Sequence, residues 1–212
     1  MSKIFISVPT YENIYPDTFK SIYGLDHGGH QVVFDFVRGY DCATARNNIA
    51  RQSLNENADY VLMVDNDVTI PRNTIINLLE HNEDVVLGYY AHRYYEPNDD
   101  ATTSICKLYD DAGNEWFNFP NESQYRAKEL DALRNLGAYK IEIHGGGMGC
   151  AMIRTDIFNQ LEFPFFKWTN YPDGQVLGED LHFCCHCRNN GIKIFADTRV
   201  RCGHMMRFIQ GV

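Results

Sequence analysis

The chain has 212 residues, of which 44% are hydrophobic and 13% aromatic, so it can bury a full core in one domain. Its net charge of −9 disfavours a broad surface for duplex nucleic acid or anionic membranes, because such surfaces need clustered Lys and Arg. The apolar start at Met1–Pro9 is too short for a signal peptide, no later segment reaches membrane-spanning length, and the seven cysteines indicate reduced thiols. We therefore expect a cytoplasmic protein without a membrane span.

Strands and helices alternate through the first half of the chain. Continuous apolar runs predict buried strands, and apolar residues at helical spacing predict the helices between them. The predicted elements are strand Lys3–Val8, helix Asp17–Tyr23, strand Gln31–Val37, helix Thr44–Asn57, strand Tyr60–Val64, helix Pro71–Glu80 and strand Asp84–Tyr89. This order predicts an α/β fold with a mostly parallel sheet flanked by helices on both faces.

The second half is less regular. Residues 93–125 are polar and aromatic, and they form either part of a substrate site or a surface excursion. The predicted elements are strand Ser104–Tyr109, a turn at Asp110–Asn114, strand Ala138–Ile143, a break at Gly145–Gly147, strand Met148–Ile153, helix Thr155–Leu161 and helix Glu179–Asn189. No internal repeat is present, which favours a single domain over residues 1–212.

Asp65-Asn66-Asp67 directly follows the apolar run Tyr60–Val64, so two carboxylates stand where a buried strand reaches the surface. Ligands of open α/β sheets collect outside the carboxyl ends of the strands. An Asp-x-Asp at that place can hold one divalent cation that also grips a diphosphate. The alternative is an ordinary turn, because Asp and Asn are common turn residues.

A second constellation suggests a structural zinc site. Cys184 and Cys187 form a C-x-x-C, and Cys202 with His204 could supply two further ligands. The alternative places the cysteines of this segment on a helix, where small thiols pack against a sheet.

With these landmarks in place, the chain resembles the GT-A nucleotide-sugar glycosyltransferases, close to their family 2-like and Anp1-like branches. Four landmarks that span Pro9 to His204 carry the resemblance. They are the strand Lys3–Val8 with Pro9-Thr10-Tyr11, then Ala45-Arg46-Asn47, then Asp65-Asn66-Asp67, and finally Gly178-Glu179-Asp180 followed by His204. The resemblance implies a Rossmann-like GT-A domain with a nucleotide-binding half at 1–92 and an acceptor half at 93–212.

The resemblance also implies a metal site. Asp67 and His204 would hold Mn²⁺, or Mg²⁺, and Asp65 would bind the metal directly or through water while approaching the donor ribose. A mixed carboxylate and imidazole site suits Mn²⁺ better than Ca²⁺. We expect Gly203 to let the backbone turn sharply before His204. The alternative for His204 is a structural or exposed histidine.

Other residues are predicted to contact the nucleotide sugar. The resemblance places Pro9, Thr10, Tyr11 and Asn66 in the nucleotide-binding turns and Gly147 where backbone approaches the donor sugar or acceptor. Tyr11 would stack on the base, Arg46 would contact the base or phosphates, and Asp41 would contact the base or ribose. The alternatives are a surface aromatic, a helix-surface cation in a salt bridge and a helix N-cap, respectively.

The acidic pair Glu179–Asp180 begins a predicted helix, where carboxylates are ordinary capping residues. The resemblance to inverting enzymes instead implies that Asp180 is the general base and that Glu179 positions the acceptor or the base. The predicted function is metal-dependent transfer of a hexose or pentose from a nucleotide sugar, a UDP-sugar first, to a hydroxyl on a glycan, lipid, protein or modified base. The alternatives are a sugar-nucleotide nucleotidylyltransferase and a non-catalytic protein that binds nucleotide sugars or carbohydrates.

Overall fold

A mostly parallel sheet forms the centre of the protein. The computed structural model describes residues 1–10, 13–91, 101–108 and 124–205. Its strands are β1 Lys3–Thr10, β2 Gln31–Arg38, β3 Tyr60–Val64, β4 Val68–Thr69, β5 Val85–Tyr89, β6 Thr102–Cys106, β7 Gln124–Arg126, β8 Lys140–Ile143, β9 Gly145–Gly146, β10 Cys150–Arg154, β11 Thr169–Asn170, β12 Val176–Leu177, β13 Ile194–Arg201 and β14 Gly203–His204. Its helices are α1 Pro16–Tyr23, α2 Cys42–Asn55, α3 Thr74–Glu80, α4 Ala127–Asn135 and α5 Glu179–Asn189, with a 3₁₀ helix at Thr155–Asn159.

Seven of the described strands form the central sheet in the order β2-β1-β3-β10-β5-β13-β8. β1 runs parallel to β2 and β3, and β5 runs parallel to β13, whereas β10 and β8 are antiparallel to their neighbours. The carboxyl ends of β1, β3, β5 and β13 therefore meet at one edge of the sheet. The amino end of β10 lies at the same edge, because Cys150 pairs with Val64.

The sheet separates two hydrophobic cores. One contains Phe5, Met63 and Leu87 with residues of α2, α4 and α5, and the other contains Ile6, Leu62 and residues of α1 and α3. Side chains on a strand alternate between the two faces, so each fully buried strand supplies both cores. Helices cover both faces, which confirms the predicted α/β class.

The predicted strands and long helices of the first half are present, with ends displaced by up to three residues. The helix predicted at Thr155–Leu161 is wrong in type, because the chain forms a 3₁₀ helix over Thr155–Asn159. The strand predicted at Ser104–Tyr109 lies at Thr102–Cys106, and the turn predicted at Asp110–Asn114 falls outside the described residues. α4 and β13 were not predicted.

None of the helices in the described ranges is both long enough and apolar enough to cross a lipid bilayer.

Candidate functional site

Chemically active side chains gather at the carboxyl edge of the sheet. Asp65 and Asp67 follow β3, Tyr90 follows β5, and His204 lies in β14 after β13. The chain brings β14 there by pairing it with β4, so that His204 stands opposite Val68. The backbone N–H of Asp65 donates to the Gly149 carbonyl at 3.1 Å, which joins the Asp-x-Asp turn to the segment before β10. The edge predicted from the strand order is therefore the place where the predicted residues meet.

Arg46 of α2 is the cation at the centre of this edge, and it is only 2% exposed. Its Nη2 donates to Asp65 Oδ1 at 2.7 Å, its Nε faces Glu179 Oε1 at 3.5 Å, and its Nη1 donates to the Met148 carbonyl at 3.3 Å. Burial opposes the charged guanidinium, but Asp65 and Glu179 more than offset that cost and raise the pKa of Arg46. Arg46 is thus not the surface cation of the alternative, because it is buried and three of its N–H groups have protein acceptors. Its contact with the base or phosphates of a nucleotide stays a prediction.

The acidic pair Glu179–Asp180 begins α5, as predicted. Glu179 is buried against Arg46, and Asp180 is partly exposed, with its Oδ1 accepting the backbone N–H of Leu181 at 2.8 Å. Burial raises the pKa of Asp180, with Arg46 opposing this shift, and burial followed by the charge of Asp180 raises the pKa of Glu179. A carboxylate with a raised pKa is a stronger base than an ordinary surface Asp.

Tyr90 occupies the space between the two acidic pairs, and the sequence analysis missed it. Its hydroxyl accepts the Gly149 N–H at 3.2 Å, and its ring meets that of His204 edge-on with centroids 5.0 Å apart. A Cβ on Gly149 would lie 2.8 Å from Tyr90 Cε1, and one on Gly147 would collide with the Tyr90 hydroxyl. Tyr90 therefore lies against the backbone at Gly147, and the predicted approach of Gly147 to the donor sugar or acceptor stays a prediction. Its position directly after a buried strand, like that of Asp65, is the signal that could have identified it.

Asp67 and His204 face each other beside Tyr90. Asp67 Oδ2 lies 3.6 Å from His204 Nε2, and the Asp67 carbonyl accepts the Met205 N–H at 2.8 Å. His204 Nδ1 lies 3.0 Å from the Ala91 carbonyl, which can only accept, so Nδ1 carries a proton and Nε2 is the ring nitrogen that faces Asp67. A backbone acceptor on the far ring nitrogen is the usual way in which a protein orients a histidine ligand.

The donor set fits a divalent cation in part. Two ligands of one small cation lie roughly 3 Å apart, so Asp67 and His204 need only a small adjustment to share one. The predicted trio is not assembled in the described part of the chain, and Asp65 Oδ1 accepts a hydrogen bond from Arg46 instead. Accordingly, no group of three or more His, Cys, Asp or Glu side chains within the described ranges is placed to hold a metal. Substrate oxygens or water would have to complete the coordination.

The segment after β1 is hydrogen-bonded to the Asp-x-Asp turn. Asn66 Nδ2 donates to the Asn13 carbonyl at 2.8 Å, and Thr10 Oγ1 donates to the same carbonyl at 3.0 Å. Pro9 lies within β1 opposite Val37, and Tyr11 falls outside the described residues. Asn66 and Thr10 therefore have a structural role here, and their contacts with a nucleotide stay predictions.

Local contacts bear on two further expectations. Asp41 is the N-cap of α2, with Oδ1 accepting the Thr44 N–H at 2.8 Å, which is the alternative stated for it, and its contact with the base or ribose stays a prediction. Gly203 is not at a sharp turn. It lies in β14, opposite Thr69 of β4, and a Cβ there would collide with Thr69 Oγ1. The position therefore needs a glycine because the Thr69 side chain lies close to its backbone.

The zinc hypothesis is wrong. Cys184 and Cys187 lie in the core on the α5 face of the sheet, whereas Cys202 belongs to the core on the other face. Burial raises the pKa of the Cys184 and Cys187 thiols, which disfavours the thiolate that zinc requires. Their role is packing, as the alternative stated.

Two solved structures share this fold. The crystal structure of A197 from STIV aligns with a TM-score of 0.59 at 17% identity, covering 98% of this chain and 87% of that one. The crystal structure of GalNAc-T7 with UDP, GalNAc and Mn²⁺ aligns with a TM-score of 0.65 at 12% identity, covering 98% of this chain and 44% of that one. The chain thus spans less than half of GalNAc-T7. No curated protein sequence matches it.

The fold, with its acidic edge, is that of a GT-A-like glycosyltransferase. The chain belongs to the Anp1 family, whose profile matches residues 27–144, a little over half of its 212 residues. The matched stretch includes Arg46, Asp65, Asp67 and Tyr90 but ends before the Glu179–Asp180 pair. The resemblance inferred from the sequence is confirmed.

Proposed function

We propose that this glycosyltransferase uses a nucleoside diphosphate sugar, with UDP as the first nucleotide to test, and Mn²⁺ or Mg²⁺ as its cation. It transfers the sugar to a hydroxyl acceptor, and Asp180 is the general base if the reaction inverts the anomeric configuration. The hydrogen-bond network of Arg46 carries this proposal. Because one buried guanidinium contacts both Asp65 and Glu179, the donor-side and acceptor-side acids belong to one site.

The donor side would hold the cation through Asp67 and His204. The bound cation supplies Lewis-acid stabilisation to the charge that develops on the leaving diphosphate. Asp65 Oδ1 is engaged by Arg46, and Oδ2 accepts no hydrogen bond from the described part of the chain, so it can receive a ribose hydroxyl or a metal-bound water. Asp65 is then a positioning residue for the donor and Asp67 is a ligand.

The acceptor side would move one proton. Asp180 removes it from the acceptor hydroxyl while that oxygen forms its bond to the anomeric carbon. The bond from that carbon to the diphosphate breaks, and its electron pair leaves with the nucleoside diphosphate. Asp180 Oδ1 accepts the Leu181 N–H at 2.8 Å, and Oδ2 lies on the side of Gly147. The hydrogen bond to Oδ1 supports a fixed direction for the base.

Family membership suggests the first sugar to test. Anp1 proteins are a GT-A-like mannosyltransferase family, whereas the aligned GalNAc-T7 structure contains UDP and GalNAc. Mannose linked to GDP and several sugars linked to UDP are therefore the donors to compare. If GDP-mannose is the donor, the expected nucleotide changes from UDP to GDP, and the proposed site residues stay the same.

The experiment is calorimetric titration of UDP-glucose, UDP-galactose, UDP-GalNAc and GDP-mannose into the protein with Mn²⁺ and then with EDTA. We expect one donor to bind only with Mn²⁺, and Asp67→Asn to weaken this binding by more than about 100-fold, because a direct ligand is lost. Asp17→Asn removes a carboxylate of the same type from the first turn of α1 and serves as the matched control.

Donor binding that is equally strong with EDTA and in Asp67→Asn would overturn the metal site. Pyrophosphate release from a nucleoside triphosphate would favour the nucleotidylyltransferase. Donor binding without release of nucleoside diphosphate in any acceptor mixture would favour the non-catalytic alternative.

A further inference from the structure

The two edges of the central sheet are built differently. At one edge β8 has four residues, and two of them, Lys140 and Glu142, form ion pairs with Glu83 and Lys193. Short, charged edge strands resist pairing with another chain. At the other edge β2 has eight residues, five of them Val or Phe, and within the described ranges it pairs with β1 alone. The edge at β2 is therefore the one that can accept a further strand.

Four aromatic rings lie exposed beside this edge. Phe34 and Phe36 of β2 meet edge-to-face with ring centroids 4.9 Å apart, and Phe19 of α1 stacks on Phe36 at 6.5 Å. Tyr23 of α1 stacks on Phe19 in turn. The four side chains are between 36% and 83% exposed. They form an aromatic patch on the α1 side of β2.

The backbone of β2 is open on its outer side. The Gln31 N–H donates to the Ser2 carbonyl before β1 at 3.1 Å, and the polar groups of successive residues in a strand point to opposite sides. The N–H and C=O groups of Phe34 and Phe36 therefore point away from β1. The Phe36 N–H donates to Oδ1 of Asp35 in its own strand at 2.8 Å, an acceptor that an incoming strand can replace. β2 thus presents a template for one more strand.

The open backbone decides what kind of partner covers the patch. A lipid surface would bury the rings but leave the outward N–H and C=O groups without hydrogen bonds, which is why open sheet edges do not face lipid. The net charge of −9 also disfavours an anionic membrane. A partner that supplies a strand covers the rings and satisfies the backbone together.

A second copy of the chain supplies a strand that fits. Two β2 strands related by a two-fold axis pair antiparallel, and the aromatic patch of one copy meets the same patch of the other. A register centred on Asp35 would place two like charges opposite each other, which is destabilising. A register centred on Phe34 places that ring opposite its own copy and Val32 opposite Phe36. Aromatic and β-branched cross-strand pairs of this kind are favourable.

The size of the patch is compatible with a dimer. Because a Phe or Tyr side chain has about 150–250 Å² of surface, the exposed fractions leave roughly 400 Å² of aromatic surface uncovered on each copy. A standard interface buries about 800 Å² on each partner. The patch supplies about half of this area, and the backbone and neighbouring side chains of the paired strands supply more.

We propose that the protein forms a two-fold dimer in which the β2 strands pair antiparallel and the two aromatic patches bury each other. The pairing joins two seven-stranded sheets into one continuous sheet. β2 lies two strands away from β3, whose end carries Asp65 and Asp67, so the pairing does not use the residues of the candidate site. The inference is independent of the proposed function.

Analytical ultracentrifugation of the unmodified protein tests the dimer. We expect a species of twice the 24.5 kDa chain mass that dissociates on dilution. Phe36→Lys places one charge from each copy in the interface and should weaken the dimer by more than about 30-fold, the loss typical of a central aromatic residue. Leu136→Lys, at an exposed apolar position after α4, is the matched control and should leave the dimer intact.

A second variant and a second measurement keep the test independent of folding. Tyr23 is 83% exposed, so Tyr23→Lys leaves the core untouched and should weaken the dimer by about 3- to 10-fold. Hydrogen exchange of the segment 31–38 reports on the backbone. We expect its amides to exchange more slowly at concentrations where the dimer forms, and Phe36→Lys to abolish this concentration dependence.

Three results would overturn the inference. The first is a monomer at every concentration of the unmodified protein. The second is a dimer that neither Phe36→Lys nor Tyr23→Lys weakens, because the interface would then lie elsewhere. The third is flotation of the unmodified protein, but not of Phe36→Lys, with phosphatidylcholine vesicles, because the patch would then bind a lipid surface.

Discussion

The two acidic pairs of the site are built alike but differ in surroundings. In each pair one carboxylate contacts Arg46, Asp65 in the first pair and Glu179 in the second. Asp67 faces the His204 imidazole, whereas Asp180 accepts the Leu181 N–H at the start of α5 and lies near Gly147.

This difference indicates a division of labour. A carboxylate that contacts the guanidinium is held in place by it. Under the proposed function, the other carboxylate of each pair would do the chemistry, Asp67 as a metal ligand beside an imidazole and Asp180 as the base. Two similar acidic pairs would then serve different ends because their neighbours differ.

The largest expected effect comes from Asp180→Asn, which separates the two pairs by function. We expect kcat to fall by about 10²- to 10⁴-fold, the usual contribution of a general base, while donor affinity stays near that of the unmodified protein. The measurement is nucleoside diphosphate release with saturating acceptor, together with donor calorimetry. Equal loss of donor affinity would instead make Asp180 part of the donor side.

The raised pKa of Asp180 gives this prediction a pH dependence. The base must be ionised, so kcat/KM should fall as pH drops through a pKa above the ordinary value of about 3.9. The same shift disfavours the folded state once pH rises above that pKa, so Asp180→Asn should be more stable than the unmodified protein at pH 7. This gain should vanish below about pH 4 in urea titrations.

Arg46→Met tests the feature that the two pairs share. It removes the buried cation and leaves Asp65 and Glu179 without their counter-charge, which should destabilise the fold by about 3–5 kcal/mol. Urea unfolding at pH 7 and pH 5 measures the loss. The loss should shrink at pH 5, because Glu179, whose pKa burial raises, can then take up a proton.

Adding Glu179→Gln to Arg46→Met should recover part of that stability by removing one uncompensated charge. Equal losses in the single and double variants would show that Glu179 is not coupled to Arg46.

Gly149→Ala tests the contact between the Tyr90 ring and the backbone before β10. The added methyl meets the Tyr90 ring, so we expect about 1–3 kcal/mol of destabilisation and a roughly tenfold loss of activity as the ring is pushed towards Asp180 and His204. Gly174→Ala is the control for glycine replacement, since it lies in the loop joining β11 and β12 with open space around it but carries the strain of φ +86°. Thermal melting and turnover of the two proteins measure the difference.

The fold was largely predictable because its central strands are continuous apolar runs with clear ends. Tyr60–Val64 is buried at every position, and the Asp-x-Asp that ends it marks the functional edge. β13 escaped prediction because Asp197, Thr198 and Arg199 interrupt its apolar pattern, although Asp197 and Thr198 are fully buried. The buried Asp197 carboxylate contacts His81, which is distant in the sequence, and Arg199, which follows two residues later. Composition alone reveals neither contact.

The site was predictable residue by residue but not as a network. Asp67, His204 and the Glu179–Asp180 pair lie at the predicted edge of the sheet, whereas the burial of Arg46 depends on α2 packing beside α5, a contact between distant segments. Charge and helical spacing could not distinguish a buried arginine from a surface one. Tyr90 was missed because an aromatic residue after a strand has many ordinary roles.

The antiparallel strand β10 has a mechanical consequence. It is bonded to β3 on one side and β5 on the other, and Cys150–Ile153 are buried. Gly149 directly precedes β10, and its carbonyl accepts the Asp65 N–H. The backbone that Tyr90 contacts is therefore tied by hydrogen bonds to both neighbouring strands of the sheet, so a change at β10 is expected to reach Tyr90 and Asp65 together.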